Sequence, residues 1–331
     1  MFIIGSYALA VFFCIITMLC WGSWANTQKL TRGGWRFELF YWDYVIGIVL
    51  FALLFGLTAG NAGAAGRGML TDLVQADMAS LGSALLGGVL FNAANILLVA
   101  SIAIAGMSVA FPTGIGLALI IGVVVNYLDR PEGNAGLLFG GTLLVAVAIL
   151  LNAYAYKRAG AGDKQTPTKG LVLAIVAGCL MGLFYKYVAN AMFPDFTVPL
   201  AGKLSPYSAV LVFSIGILLS NFVFNTLLMR YPFDGAPVTY GQYFRGSGRN
   251  HLMGVLGGVI WCVGMSFSIL ASDQAGPAIS YGLGQGATIV AALWGIYVWR
   301  EFAGAPAGTQ TVLNGMLACY LVGLGLIVAA G

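Results

Sequence analysis

Ser80-Leu-Gly-Ser-Ala-Leu-Leu-Gly-Gly-Val-Leu-Phe-Asn-Ala-Ala-Asn-Ile-Leu-Leu-Val-Ala-Ser-Ile102 runs for 23 residues without one charged side chain. A bilayer core of about 30 Å asks for roughly 20 such residues in a helix. The run does not alternate apolar and polar residues, so it reads as a helix and not as a strand of an outer-membrane barrel. Four of its residues, Leu86-Gly87-Gly88-Val89, return as Leu256-Gly257-Gly258-Val259, 170 residues on. At that offset, without gaps, Ala105-Gly106 meets Ala275-Gly276, Gly114 meets Gly284, Gly116 meets Gly286, Tyr127 meets Tyr297 and Arg130 meets Arg300. Gly22 over Gly182 is a weaker match between the first and sixth spans. A repeat of this kind is the mark of transporter folds.

Outward from that stretch the same rule gives ten spans. They are Tyr7–Gln28, Phe37–Leu57, Ser80–Ile102, Ala105–Leu128, Gly136–Tyr156, Gly170–Met192, Ser205–Leu228, His251–Ser272, Pro277–Trp299 and Thr309–Ala330. The whole composition agrees. Of 331 residues, 60% are hydrophobic and 8% charged, against roughly 25% charged in a soluble domain. That excludes a soluble enzyme, a nucleic-acid binder and a secreted disulfide scaffold. The five cysteines all fall inside apolar runs and read as small buried thiols. The first span lacks a basic lead and a small-residue cleavage pattern, so it is expected to stay in place.

Five helices per half is an odd number, so the halves are expected to lie in opposite orientations: residues 1–156, a linker at 157–169, and residues 170–331. Lys29, Arg32, Arg36, Lys157, Arg158, Lys164, Lys169, Arg230, Arg245, Arg249 and Arg300 fall on one side. Arg67, Arg130 and Lys203 fall on the other. The basic side is predicted to be cytoplasmic, which puts both termini outside an inner membrane. The net charge of +4 then reflects topology and anionic lipid, with no nucleic acid needed. Gly160-Ala-Gly-Asp-Lys-Gln-Thr166 in the linker lacks the spacing of a phosphate loop, so ATP binding is not expected there.

Two stretches carry a family resemblance. One is Trp35-Arg-Phe-Glu-Leu-Phe-Tyr-Trp-Asp-Tyr44. The other is Gly87-Gly-Val-Leu-Phe-Asn-Ala-Ala-Asn95, continuing to Gly106-Met-Ser, Gly114-Ile-Gly-Leu, Ile121-Gly122 and Asn126. Together they resemble the sugar-permease branch of the drug/metabolite transporter superfamily, with its glucose/ribose permeases and rhamnose–proton symporter. They also resemble the plant ureide permeases. The resemblance implies ten helices in two inverted five-helix repeats and a small polar substrate. Permeases of this kind can carry a cytoplasmic domain with a phosphate-loop-like motif; here the linker is short and lacks it.

Polar groups at membrane depth are costly unless paired, and so mark candidate sites. Lys186, in Leu-Phe-Tyr-Lys-Tyr, either contacts substrate or a carboxylate, or snorkels outward beside Tyr185 and Tyr187. Asp43 is the one acid well inside a span. It is the candidate for a coupling proton, the alternative being an interfacial aspartate bound to loop arginines. Asn92 and Asn95 share a helix face, where amides suit a sugar, ureide or nucleobase as well as helix–helix bonding. Tyr281 and Gln285 face the same choice, as do Asn221 and Asn225. Trp21, Trp24 and Trp261 offer flat apolar faces; for Trp24 the interfacial aromatic belt is the favoured reading. The single histidine, His251, at a helix end, and the lack of a paired-acid or H-E-x-x-H motif speak against an enzyme. No cofactor or metal site is expected.

The expected protein is therefore a secondary active transporter working by alternating access. Its partners are a small neutral solute, a coupling proton (sodium being the alternative) and the bilayer. The resemblance leans to sugars, with ureides or nucleobases behind. A channel is disfavoured, since no charge ring or carbonyl filter is legible. The chain is expected to be a monomer or homodimer.

Overall fold

The structure, a computed structural model, describes residues 1–105, 107–161, 168–233 and 235–331, without the side chains of 107, 108, 111 and 161. Most of the linker, residues 162–167 with Lys164, and the turn at Gly106 lie outside the described residues. Ten helices among them are long and apolar enough to cross a membrane. No strand forms among the described residues; one isolated bridge joins Met192 and Leu204. Lipid offers the backbone no hydrogen bonds, so each apolar run satisfies its own as a helix.

In chain order the elements are α1 (Tyr7–Ser23), α2 (Asn26–Lys29), α3 (Phe37–Thr58), α4 (Met69–Gln75), α5 (Met78–Ala105), α6 (Met107–Asp129), α7 (Ala135–Tyr156), α8 (Thr168–Ala191), α9 (Pro206–Arg230), α10 (Tyr240–Phe244), α11 (Gly248–Ala275), α12 (Pro277–Gly284), α13 (Ala287–Leu293) and α14 (Thr309–Val328). The spans agree with the sequence reading, with four differences. The first span breaks at Trp24–Ala25 into α1 and α2. The ninth span breaks at Gln285–Gly286 into α12 and α13 and ends in a π-turn, Trp294–Val298. Two short helices, α4 and α10, cap the ends of the bundle. The turn expected at Asp273–Gly276 is only one residue long: Gly276 at φ 76° reverses the chain and Pro277 opens α12. Proline's fixed φ suits that first helical position.

The helix pairs fit two inverted repeats. α3 packs on α11 as α9 packs on α5; α1 packs on α11 and α13 as α8 packs on α5 and α6; α7 pairs with α14. Glycines show why. A Cβ on Gly258 would strike the Tyr44 carbonyl of α3, and one on Gly88, 170 residues earlier, would strike the Phe213 carbonyl of α9. The crossing is closed from the other side by Gly47, against the Val255 carbonyl, and Gly216, against the Leu85 carbonyl. Gly22 lies against Ala287 and Val290 of α13, and Gly182 against Ile121 and Gly122 of α6. Helices approach this closely only where small residues remove side-chain bulk. Lipid-facing leucines such as Leu54, Leu143, Leu150 and Leu321 stay on the outside of the bundle.

Lys29, Arg36, Arg158, Arg230 and Arg249 stand at one end of the bundle, called here the basic end. Their ties run within that end: Lys29 to Glu301 at 3.0 Å, Arg158 to the Ala307 carbonyl, Arg249 to the Leu30 carbonyl.

Candidate functional site

Between α1, α3, α5, α6, α8, α11 and α13 lies a cavity of about 390 Å³, within the ~300–1,000 Å³ usual for small-molecule sites. Its deep wall is aromatic. Trp21 and Trp261 stack at 5.9 Å with planes 12° apart, and Phe91 lies 4.3 Å from Trp261. The repeat offset of 170 relates Phe91 to Trp261, so these two rings meet at the centre of the bundle. The cavity then runs past Trp24 and Leu98 to Gln28 and Phe37 at the basic end.

Three amides enter it. Asn95 donates through Nδ2 to the Tyr41 hydroxyl at 3.1 Å, and its Oδ1 has no partner among the described residues. The side-chain amides of Gln285 and Gln28 are likewise without a partner among them. Gln285 sits at the break between α12 and α13, where it caps the end of α12. None of the described residues lining it is charged. The wall therefore offers hydrogen bonds without a net field, beside flat apolar faces.

Tyr41, absent from the sequence-derived candidates, organises this wall. Its hydroxyl donates to Asn92 Oδ1 at 2.9 Å, while Asn92 Nδ2 donates to Ser220 Oγ at 2.8 Å. Asn92 is thus wholly occupied and buried, one turn outside the cavity; its amide joins α5 to α3 and α9. Tyr281 is also buried outside the cavity. Its hydroxyl lies 3.1 Å from the carbonyls of Ala118 and Met181.

Beyond Trp261, away from the basic end, the helices are tied together. The Tyr185 hydroxyl reaches the Ser268 carbonyl at 3.1 Å, Ser280 Oγ donates to the same carbonyl at 2.6 Å, and Cys14 Sγ lies 3.7 Å from Ser280 Oγ. Nearer that end, Lys186 pairs with Asp129 at 2.7 Å, and Asn190 donates to the other Asp129 oxygen at 2.9 Å. Lys186 and Asp129 are about a third exposed. Of the alternatives open for Lys186, the substrate contact is not made: it lies away from the cavity, its long stem carrying the charge along α8 to a carboxylate.

Asp43 is 3% exposed on α3 and does not line the cavity. Tyr243 on α10 donates to its Oδ1 at 2.7 Å, and His251 Nδ1 lies 2.9 and 3.1 Å from its two oxygens. The loop arginines do not hold it: Arg36 pairs with Glu38. Sequence reading set His251 aside as a helix-end residue. Its only signal was being the sole histidine, 208 residues from the sole deep acid.

Ten helices long and apolar enough to cross a membrane, around a central aromatic cavity entered by three amides, define a multi-pass membrane transporter. The chain belongs to the sugar transport protein family, whose family model matches residues 12–329. Among relatives, Ureide permease 1 of Arabidopsis thaliana is 24% identical over 100% of this chain and 99% of its own length. Ureide permease 5 of the same plant is 23% identical over 99% and 96%. A solved crystal structure shares the fold at TM-score 0.62 over 95% of this chain and 96% of that one, with 15% identity.

Proposed function

We propose that this transporter is a secondary active carrier for a small neutral solute with in-plane amides, a ureide or a nucleobase-like heterocycle, bound at Asn95, Gln285 and Gln28 against the aromatic wall of Trp21 and Trp261. The observation that carries this reading is the wall itself: the open Asn95 carbonyl, the Gln28 and Gln285 amides and flat indoles, with no charge among the described lining residues. A planar amide both donates and accepts, as the wall does, and its faces stack on indole. The ureide permeases among the relatives support the same chemistry. The family's name supports a second reading, a sugar, whose apolar face and hydroxyls the same wall would also meet.

The carrier works by alternating access between the halves 1–156 and 170–331. The state described here opens toward the basic end, and the Tyr185–Ser268–Ser280 ties close the other. The basic end faces the cytoplasm and both termini face out of an inner membrane. Transport is coupled to a proton carried by Asp43.

Counterflow in proteoliposomes tests this. Liposomes preloaded with unlabelled allantoin are expected to take up labelled allantoin transiently above equilibrium, and rhamnose to exchange more weakly. Exchange of rhamnose alone would reverse the two readings. Labelling of single cysteines in intact cells checks the topology: Arg158→Cys is expected to react only after the membrane is opened.

A further inference from the structure

The wet face of His251, against the buried Asp43, is the clue to a proton path. The Asp43 carboxylate is buried, whereas the His251 side chain keeps 28% of its surface exposed at the basic end. Asp43 is met by His251 from α11 and by Tyr243 from α10. Gly254, also on α11, lets that helix close over the Asp43 Cβ, where a side chain would clash. On α9 the neighbouring groups are uncharged: Met229 takes the Trp42 indole N–H and Asn225 donates to the Glu38 carbonyl. The cations nearby are committed elsewhere: Arg36 to Glu38, Arg249 to the Leu30 carbonyl, Lys29 to Glu301. Burial and the Asp43 carboxylate push the Tyr243 hydroxyl above its ordinary value, so it stays a donor. Trp35 stands edge-on to the imidazole at 5.5 Å and limits its orientation.

The second observation lies two residues along α3. Asp43 faces α10 and α11, while Tyr41 reaches the other way to Asn92 and Asn95. One helix thus carries the acid on one side and the cavity amide's partner on the other.

We infer that His251 is the proton relay of this transporter and that α3 links the protonation of Asp43, through Tyr41, to the amide wall at Asn95. This rests on the coupling role proposed above for Asp43. A proton from the basic-end solution adds to His251 Nε2, and the proton on Nδ1 passes to an Asp43 oxygen. The carboxylate becomes a neutral acid, and the imidazole ends neutral with its proton on Nε2. One proton is taken up, none is lost, and the pair's charge rises from −1 to 0. The neutral acid holds His251 and Tyr243 less strongly, and α3 is released to shift Tyr41 and with it the Asn95 amide.

The test of the relay itself needs no substrate. Infrared titration of the purified full chain reads a protonated carboxyl directly. A C=O stretch is expected to grow in as pH falls and to be missing in Asp43→Asn. His251→Asn keeps an N–H donor where Nδ1 stands but cannot relay. It is expected to fold, to shift the midpoint of that band, and to slow proton uptake by about a hundredfold, the usual scale of a lost acid–base group. Tyr41→Phe is expected to leave the band unchanged while abolishing the pH dependence of allantoin affinity. A titration and uptake rate in His251→Asn equal to those of the unaltered protein would overturn the relay. An unchanged pH dependence in Tyr41→Phe would overturn the link along α3. Counterflow of allantoin and rhamnose on the same variants separates these failures from failure of the carrier reading: a working relay without exchange sinks the latter alone.

Discussion

At the end opposite the basic end, Tyr185 on α8 meets Ser268 on α11 and Ser280 on α12. The repeat offsets place Ala25, Leu98 and Ala110 at the matching positions of the basic end, and there Ala25 and Leu98 line the cavity. The rims differ in the same way. Lys186 and Asp129 form an ion pair, whereas the matching Asn26 and Trp299 share a hydrogen bond of 2.7 Å. At these matched positions one end carries hydroxyls and an ion pair, the other methyl groups and an amide–indole bond. Equivalent helices thus make a latch at one end and a mouth at the other. In the alternating-access reading proposed above, two like halves give a carrier two matching states, and side-chain asymmetry sets which one is the more populated.

Four measurements break or sharpen that comparison. The largest effect is expected where the halves are most alike. Gly88→Leu and Gly258→Leu each force a side chain into a partner backbone and are expected to cost about 3 kcal/mol or more. Both should fail to give a folded monodisperse protein in detergent. Gly140→Ala, with open space around it, should hold or raise the melting temperature, since alanine outdoes glycine in a helix. If one of the matched pair tolerates leucine, the crossings are not equivalent.

Removing the latch comes next. Tyr185→Phe leaves the buried Ser268–Ser280 pair short of a partner, at about 1–3 kcal/mol. The state open at that end should gain roughly tenfold or more in population. A cysteine at Ser268 would report it as faster labelling from that side. An unchanged rate would make the hydroxyls mere packing groups.

At the mouth, Asn95→Ala and Gln285→Leu are expected to weaken allantoin binding by about three- to tenfold, the worth of one hydrogen bond. Asn92→Ala should lower the melting temperature and leave affinity in place, since its amide is fully used inside the protein. Equal affinity losses in all three would move the site toward α9.

The smallest effect is expected at the rim. Lys186→Met breaks a pair that is about a third exposed, where an ion pair contributes roughly 0–1 kcal/mol after screening. Counterflow should stay within a fewfold of the unaltered protein. Abolished exchange would return Lys186 to the substrate path.

Apolar run length fixed the ten helices, because lipid leaves a long apolar segment no other way to satisfy its backbone. The repeated Leu-Gly-Gly-Val was legible for a related reason: close crossings admit only glycine, so the same residue marks the same contact in each half. The basic-residue split was legible as well, since charge stays out of the bilayer wherever the chain turns. The partners of the polar side chains were not legible. Asp43 and His251 stand 208 residues apart, and α10, which brings Tyr243 to them, leaves no hydropathy signal. Asn92 and Asn95 look alike on one helix face, yet the crossing of α9 fills one amide and leaves the other open to the cavity. Sequence left Lys186 either at the substrate, on a carboxylate or reaching outward; only the packing shows its ammonium held by Asp129. Sequence sets which segments enter the membrane; only the way the helices pack decides which buried polar atoms find each other and which remain free for a ligand.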